Sequence, residues 1–161
     1  MKKVIILLWM ICLSFNVTAH HSVFHTSENQ LVMPIVEVID GDTIRSALSL
    51  PTPINKISVR LGGINSPEST WRAKCLAEKM LGIEAKNFLK DFIKSKGVSI
   101  MILTNFKYGT YAGRIIADAS IGGVDIATLM MENGYAKYYD GKSKIKSSWC
   151  NIVVPIIVEN N

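Results

Sequence analysis

From residue 35 onward, apolar and polar positions alternate as in strands, then repeat with a helical period, then alternate again. Ile35, Val36, Val38 and Ile39 are β-branched, and Asp40-Gly41-Asp42 is a turn signal before Thr43-Ile44-Arg45 resumes the strand. Pro51, Pro53 and Asn55 mark a loop. Ile57, Val59 and Leu61 alternate with Ser58 and Arg60, the pattern of a half-buried strand, and Gly62-Gly63 permits a bulge or bend. Over residues 73–95, Leu81, Ala85, Phe88, Leu89 and Phe92 form one helical stripe, while Lys79, Lys86, Lys90 and Lys94 occupy other faces. Gly97 is its stop signal. Val98, Ile100 and Ile102 alternate as a strand, and residues 114–119 form another, ending at Gly122-Gly123. Asp125 caps a short helix through Asn133, with Gly134 as breaker. This order predicts a small α+β protein, most economically an OB-type Greek-key barrel, because a short curved sheet must protect its edges.

The two ends read differently. Lys2 and Lys3 precede an apolar run over residues 4–13, then polar Ser14 and Asn16 and small residues up to Ala19. That is a signal-peptide pattern over residues 1–19, too short for a comfortable bilayer span. Export is therefore expected, to a periplasm or to the medium, with no stable membrane association after cleavage. An uncleaved anchor and lipidation at Cys12 are the alternatives. Residues 20–33 are polar and unpatterned, a flexible N-terminal segment that holds all three histidines, His20, His21 and His25. With none in the body of the chain, a His-dependent triad or His-ligated zinc site in the core is not expected. The domain then runs over residues 34–150, and residues 151–161 form a short tail, apolar around Pro155.

A chain of 161 residues with 48% apolar and 19% charged positions has one domain's length and enough core for it. Without residues 1–19, 16 basic and 13 acidic residues remain, a mild positive balance that permits a polyanionic partner. Cys75 and Cys150 also remain. An even pair in an exported protein suggests one disulfide, the alternative being two buried thiols.

Three clusters carry candidate chemistry: Asp40-Gly41-Asp42-Thr43, Arg60 with Asn65-Ser66-Pro67-Glu68, and Tyr111-Ala112-Gly113-Arg114. Singly, each is an ordinary turn, a surface arginine or a helix start. Together they hold what phosphodiester hydrolysis needs. Two arginines can fork onto phosphate oxygens and stay charged. Glu68 can take a proton from water. Asp42 and Asn65 offer hard oxygens of the kind Ca²⁺ prefers.

The segments VIDGDTIR (38–45), VRLGGINSPES (59–69), Cys75-x-x-Glu78, YAGRIIAD (111–118), GVDIATLMMENGYAKYY (123–139) and Trp149-Cys150 resemble the thermonuclease family of staphylococcal-nuclease-like proteins. The resemblance implies a five-stranded OB-type β-barrel with packed helices, and a Ca²⁺-dependent endonuclease acting on DNA and RNA. By motif, Arg60, Glu68 and Arg114 match the catalytic trio. Asp42 matches the acidic metal ligand, with Asn65 and the Ser66 backbone at the other metal positions. It implies that Glu68 activates water, that the arginines stabilise the transition state, and that products carry a 3′-phosphate. Tyr111 and Tyr138 are the candidate substrate-stacking residues, and a monomer is expected.

There are departures. Asn65 stands where many members have Asp, which removes a negative charge from the metal site. Gly109-Thr110 replaces the acidic-basic pair often found before the tyrosine, and Ala112 separates Tyr111 from Gly113. The long C-terminal helix of the best-known member is not evident. The alternative to an enzyme is therefore a catalytically impaired OB-fold module that binds nucleic acid.

Overall fold

The computed structural model describes residues 29–48, 55–111, 113–142 and 149–151. The signal segment, the three histidines, the loop around Pro51 and Pro53, and the tail after Asn151 lie outside the described residues.

The strands follow the alternation. They are β1 (Leu31–Pro34), β2 (Glu37–Asp40), β3 (Thr43–Ala47), β4 (Lys56–Leu61) and β5 (Ile64–Asn65), then β6 (Ile100–Tyr108), β7 (Arg114–Ile121), β8 (Val124–Asp125) and β9 (Lys137–Tyr138). Two helices, α1 (Leu76–Lys96) and α2 (Ile126–Glu132), and a 3₁₀ turn (Trp149–Asn151) complete the described chain. Ladder hydrogen bonds run in the order β1-β6-β7-β4-β3-β2, with β8 on β7, while β5 and β9 pair separately. The ends of that order, β1 and β2, are successive halves of one stretch of chain. Between them, Ile35 N–H donates to the Ser99 carbonyl (2.8 Å) and Val36 N–H to the Arg45 carbonyl (2.9 Å). The sheet thus curls until its two edges meet in a single segment, which is how an OB-like fold protects its edges. Counting β1 and β2 as one strand, five principal strands build it, joined by no β1–β2 ladder.

Inside lie Val38, Ile44, Val59, Leu61, Met101, Leu103, Ile115 and Ile121, all buried. Each such side chain contributes about 2 kcal/mol by leaving water. In β6 the core face is Met101 and Leu103, whereas Ile100 is exposed. Of the alternation read from Val98, Ile100 and Ile102, the last two thus lie on the outer face, while Val98 precedes the strand and packs against the core. Apolar residues occupy both faces there, so the register with β1 decides: Met33 pairs with Met101, and the exposed Val32 pairs with Ile102.

Helix α1 starts at Leu76, three residues later than its apolar period suggests. Cys75 is its N-cap, with Sγ accepting the Glu78 N–H at 3.4 Å, while the buried Glu78 carboxylate accepts the Lys74 N–H at 2.7 Å. Its buried line is Glu78, Gly82, Ala85 and Leu89, one turn apart at each step. Gly97, at φ +62°, closes it as a left-handed C-cap. Asp125 caps α2 as its spacing predicts, its carboxylate accepting the Thr128 N–H at 2.7 Å.

Candidate functional site

The β2–β3 turn places Asp40 and Asp42 at the mouth of the curved sheet. Asp42 N–H donates to Asp40 Oδ1 at 3.1 Å, a local turn bond that holds both carboxylates on one side. Asp42 is buried, and each of its oxygens has a partner. Oδ2 accepts the Ser66 N–H at 2.7 Å and pairs with Arg60 Nη1 at 2.8 Å, while Oδ1 accepts the Thr43 hydroxyl at 3.0 Å. Gly41 is required by close approach: a Cβ there would sit 2.9 Å from the Ser66 Cβ and 3.0 Å from the Ala85 Cβ.

The arginines come from neighbouring parallel strands. In the β4–β7 register, Arg60 lies opposite Ile116 and Ser58 opposite Arg114. Arg60 and Arg114 therefore share a face, two residues apart, or about 7 Å along the strand. Val59, Leu61, Ile115 and Ala117 fill the other face with core. Arg60 Nη1 also reaches the carbonyls of Asp42 and Leu61, both at 3.3 Å, and Nη2 reaches Asn65 Oδ1 at 3.4 Å. Asn65 sits on β5, held by pairing with Lys137 of β9. Glu68 follows on a loop pressed against α1. A Cβ on Gly82 would lie 2.6 Å from the Glu68 carbonyl carbon and oxygen. Only glycine lets the helix come this close.

These segments enclose an open cavity of about 670 Å³, whose walls include Asp42, Arg60, Asn65, Glu68, Tyr111 and Arg114. Sequence reasoning placed Asp40 only in its DGD turn, and gave no role to Arg72, Asn105 or Asp118, which also line that wall. Asn105 was not visible in sequence, since its positive φ (+49°) and its 2.6 Å bond to Asp118 arise from an irregularity in the β6–β7 register. Burial, and then the charge of Asp42, push the Asp40 carboxyl from its ordinary 3.8 up to about 7. A buried carboxyl beside a second carboxylate, holding its proton near neutrality, is a place where a divalent cation can replace that proton. With the Asn65 amide oxygen beside them, the donors are all hard oxygen, the set suited to Ca²⁺ or Mg²⁺. The residues fit such an ion.

Of the residues singled out from sequence, Asp42, Arg60, Asn65, Glu68, Tyr111 and Arg114 meet at this cavity. Ser66 is buried behind it, its N–H holding Asp42. Tyr138 is 67% exposed and outside the cavity wall; its neighbour Tyr139 lines it, tied by its N–H to the Gly63 carbonyl at 2.8 Å. Cys75 and Cys150 form a disulfide with Cα atoms 5.9 Å apart. It joins the start of α1 to the 3₁₀ turn, where the buried Trp149 ring packs under Lys137 Nζ at 4.2 Å.

The family described as staphylococcal nuclease homologue matches residues 58–149. The chain is also similar to the probable endonuclease LCL3 of Komagataella phaffii, with 32% identity over 87 residues. That match covers 54% of this chain and 37% of the relative's length.

Proposed function

Since this chain belongs to the staphylococcal nuclease homologue family, we propose that it hydrolyses phosphodiester bonds of DNA and RNA with the help of Ca²⁺. The observation that carries this reading is the meeting of Asp42, Arg60, Glu68 and Arg114, from separate segments, at one open cavity. A module that only binds nucleic acid has no need of all four.

Asp40, Asp42 and Asn65 would hold the cation, which supplies Lewis-acid charge to the phosphoryl oxygens. Arg114 and Arg60 donate to phosphate oxygens and neutralise the charge that builds there. Glu68 accepts a proton from the attacking water. The water oxygen bonds to phosphorus as the bond to the 5′ oxygen breaks, and that oxygen takes a proton from solvent. The products carry a 3′-phosphate and a 5′-hydroxyl. Tyr111, 71% exposed at the rim, offers a base a stacking face. The signal pattern over residues 1–19 and the Cys75–Cys150 disulfide support export to an oxidising compartment. Among the described residues no helix is long and apolar enough to cross a membrane.

A second reading, nucleic-acid binding without cleavage, rests on Asn65. It contributes no charge, and its amide oxygen lies 3.4 Å from Arg60 Nη2. Incubating the mature chain, from His20, with single-stranded DNA in Ca²⁺ or in chelator separates the two. Cleavage that needs Ca²⁺ and leaves 3′-phosphate ends is expected. Binding without cleavage across several divalent ions would establish the second reading instead.

A further inference from the structure

A second, shallower groove of about 440 Å³ adjoins the main cavity and is lined by Ser58, Arg72, Tyr111, Gly113 and Arg114. Arg72, Tyr111 and Arg114 belong to both, so the two are continuous. Their charge differs. The main cavity mixes acids with bases, Asp42, Glu68 and Asp118 beside Arg60, Lys107 and Arg114. The groove has two arginines and no acid. Among the described residues the ion pairs are Arg45–Glu37 and Arg60–Asp42, and neither Arg72 nor Arg114 takes part in one.

Each of these arginines lies against an exposed ring. Arg114 Cζ is 5.7 Å from the Tyr111 centroid, and Arg72 Cζ is 5.4 Å from the Trp71 centroid. Trp71 is 86% exposed, an unusual position for the largest apolar side chain. A guanidinium packed on a ring keeps its N–H edge available for phosphate, and an exposed indole is a platform for a base. The loop that carries the pair is held at several points. Arg72 N–H donates to Thr70 Oγ1 at 3.4 Å and Ala73 N–H to the Thr70 carbonyl at 3.1 Å, while the disulfide anchors Cys75 beyond.

We propose that Arg72, with Trp71 and Ser58, forms a second phosphate subsite that holds the nucleotide next to the cleaved bond in a single strand of DNA or RNA. This rests on the nuclease reading of the main cavity and extends it along the strand. A charge-assisted bond of the usual strength corresponds to about tenfold in affinity.

The test compares the full mature chain with Arg72→Ala, Trp71→Ala and Lys90→Ala, on single-stranded oligonucleotides from two to eight residues. Lys90 lies exposed on α1 and controls for loss of net charge alone. For Arg72→Ala, KM for the octanucleotide should rise about tenfold at the wild-type kcat, the rise for the dinucleotide should be far smaller, and Lys90→Ala should show neither. Arg72→Lys should recover part of the loss. The salt dependence of octanucleotide binding, read by fluorescence anisotropy, should also weaken by about 0.7 in log–log slope. Equal losses at every length, or a change in kcat alone, would overturn the subsite, as would a variant indistinguishable from Lys90→Ala. If the wild type binds but cleaves nothing, the nuclease reading fails. The anisotropy comparison then still decides the subsite.

Discussion

The two walls of the cleft are built on opposite principles. One wall, the Asp40–Asp42 turn with Arg60 and the loop from Asn65 to Glu68, is largely withdrawn from water: Asp42 and Ser66 are 6% and 5% exposed. Its polar groups are satisfied by one another, and α1 is packed hard behind it. The other wall, Tyr111 and Arg72 with Trp71 beside them, stands in solvent and makes ring contacts rather than ion pairs, while the half-buried Arg114 stands between the two walls. A buried, hydrogen-bonded wall fixes geometry before any ligand arrives, which is what a reaction needs. An exposed, cationic and aromatic wall tolerates any base, which is what strand binding needs. Substitutions in the first should therefore disturb folding and turnover, and those in the second affinity.

The disulfide anchors the rigid side from outside, closing a loop of 75 residues. Reduction should cost about 4 kcal/mol in the chain-entropy model, read as a fall in the urea midpoint. An unchanged midpoint would show that the buried wall stands without it. Asp42→Ala strips the partner from a mostly buried Arg60, so a loss of about 3 kcal/mol is expected, together with a higher Ca²⁺ requirement. Wild-type stability and an unaltered metal titration would remove Asp42 from its place. Gly82→Ala forces α1 away from the Glu68 backbone, and a loss of about 1–3 kcal/mol with a lower kcat at similar KM should follow. A change in KM alone would assign that contact to binding rather than to geometry.

The last effect concerns Asp40 and is read against pH. Its folded-state pKa of about 7 lies above the ordinary 3.8, so the folded protein holds the proton more tightly than the unfolded chain does. Without divalent cation this group favours folding below pH 3.8, and that contribution is lost as pH rises toward about 7. Asp40→Asn should flatten this part of the pH profile of Tm in chelator, and Ca²⁺ should raise the wild-type Tm more at pH 8 than at pH 5. Identical profiles for the two proteins would argue against crowded carboxylates.

Much of the rigid wall, and of the strand that carries Arg114 beside it, was legible in sequence because the parts are local. A DGD turn between β-branched runs, an alternating strand carrying Arg60, and a glycine before Arg114 each have their own short-range signature. What was hidden is long-range. Gly82 reads as a weak point in a helix, and only the 2.6 Å approach of the Glu68 backbone explains it. Trp71 and Arg72 lie in a loop without periodicity, so nothing in the pattern joined them to Tyr111 and Arg114 forty residues on. The face of β6 was ambiguous for a related reason: apolar residues occupy both sides, and pairing with β1 resolves it. Tyr138 and Tyr139 are adjacent in a motif, and only the β5–β9 pairing determines which of them reaches the cavity.

The proposed hydrolysis depends on Glu68, at the end of the buried wall. This dependence is tested most directly by cleavage of single-stranded DNA in Ca²⁺ by the mature chain and by Glu68→Gln, with affinity measured in parallel. A loss in kcat of about 100-fold or more with affinity nearly unchanged is expected. Wild-type turnover by Glu68→Gln would contradict it and place the general base elsewhere in the cleft.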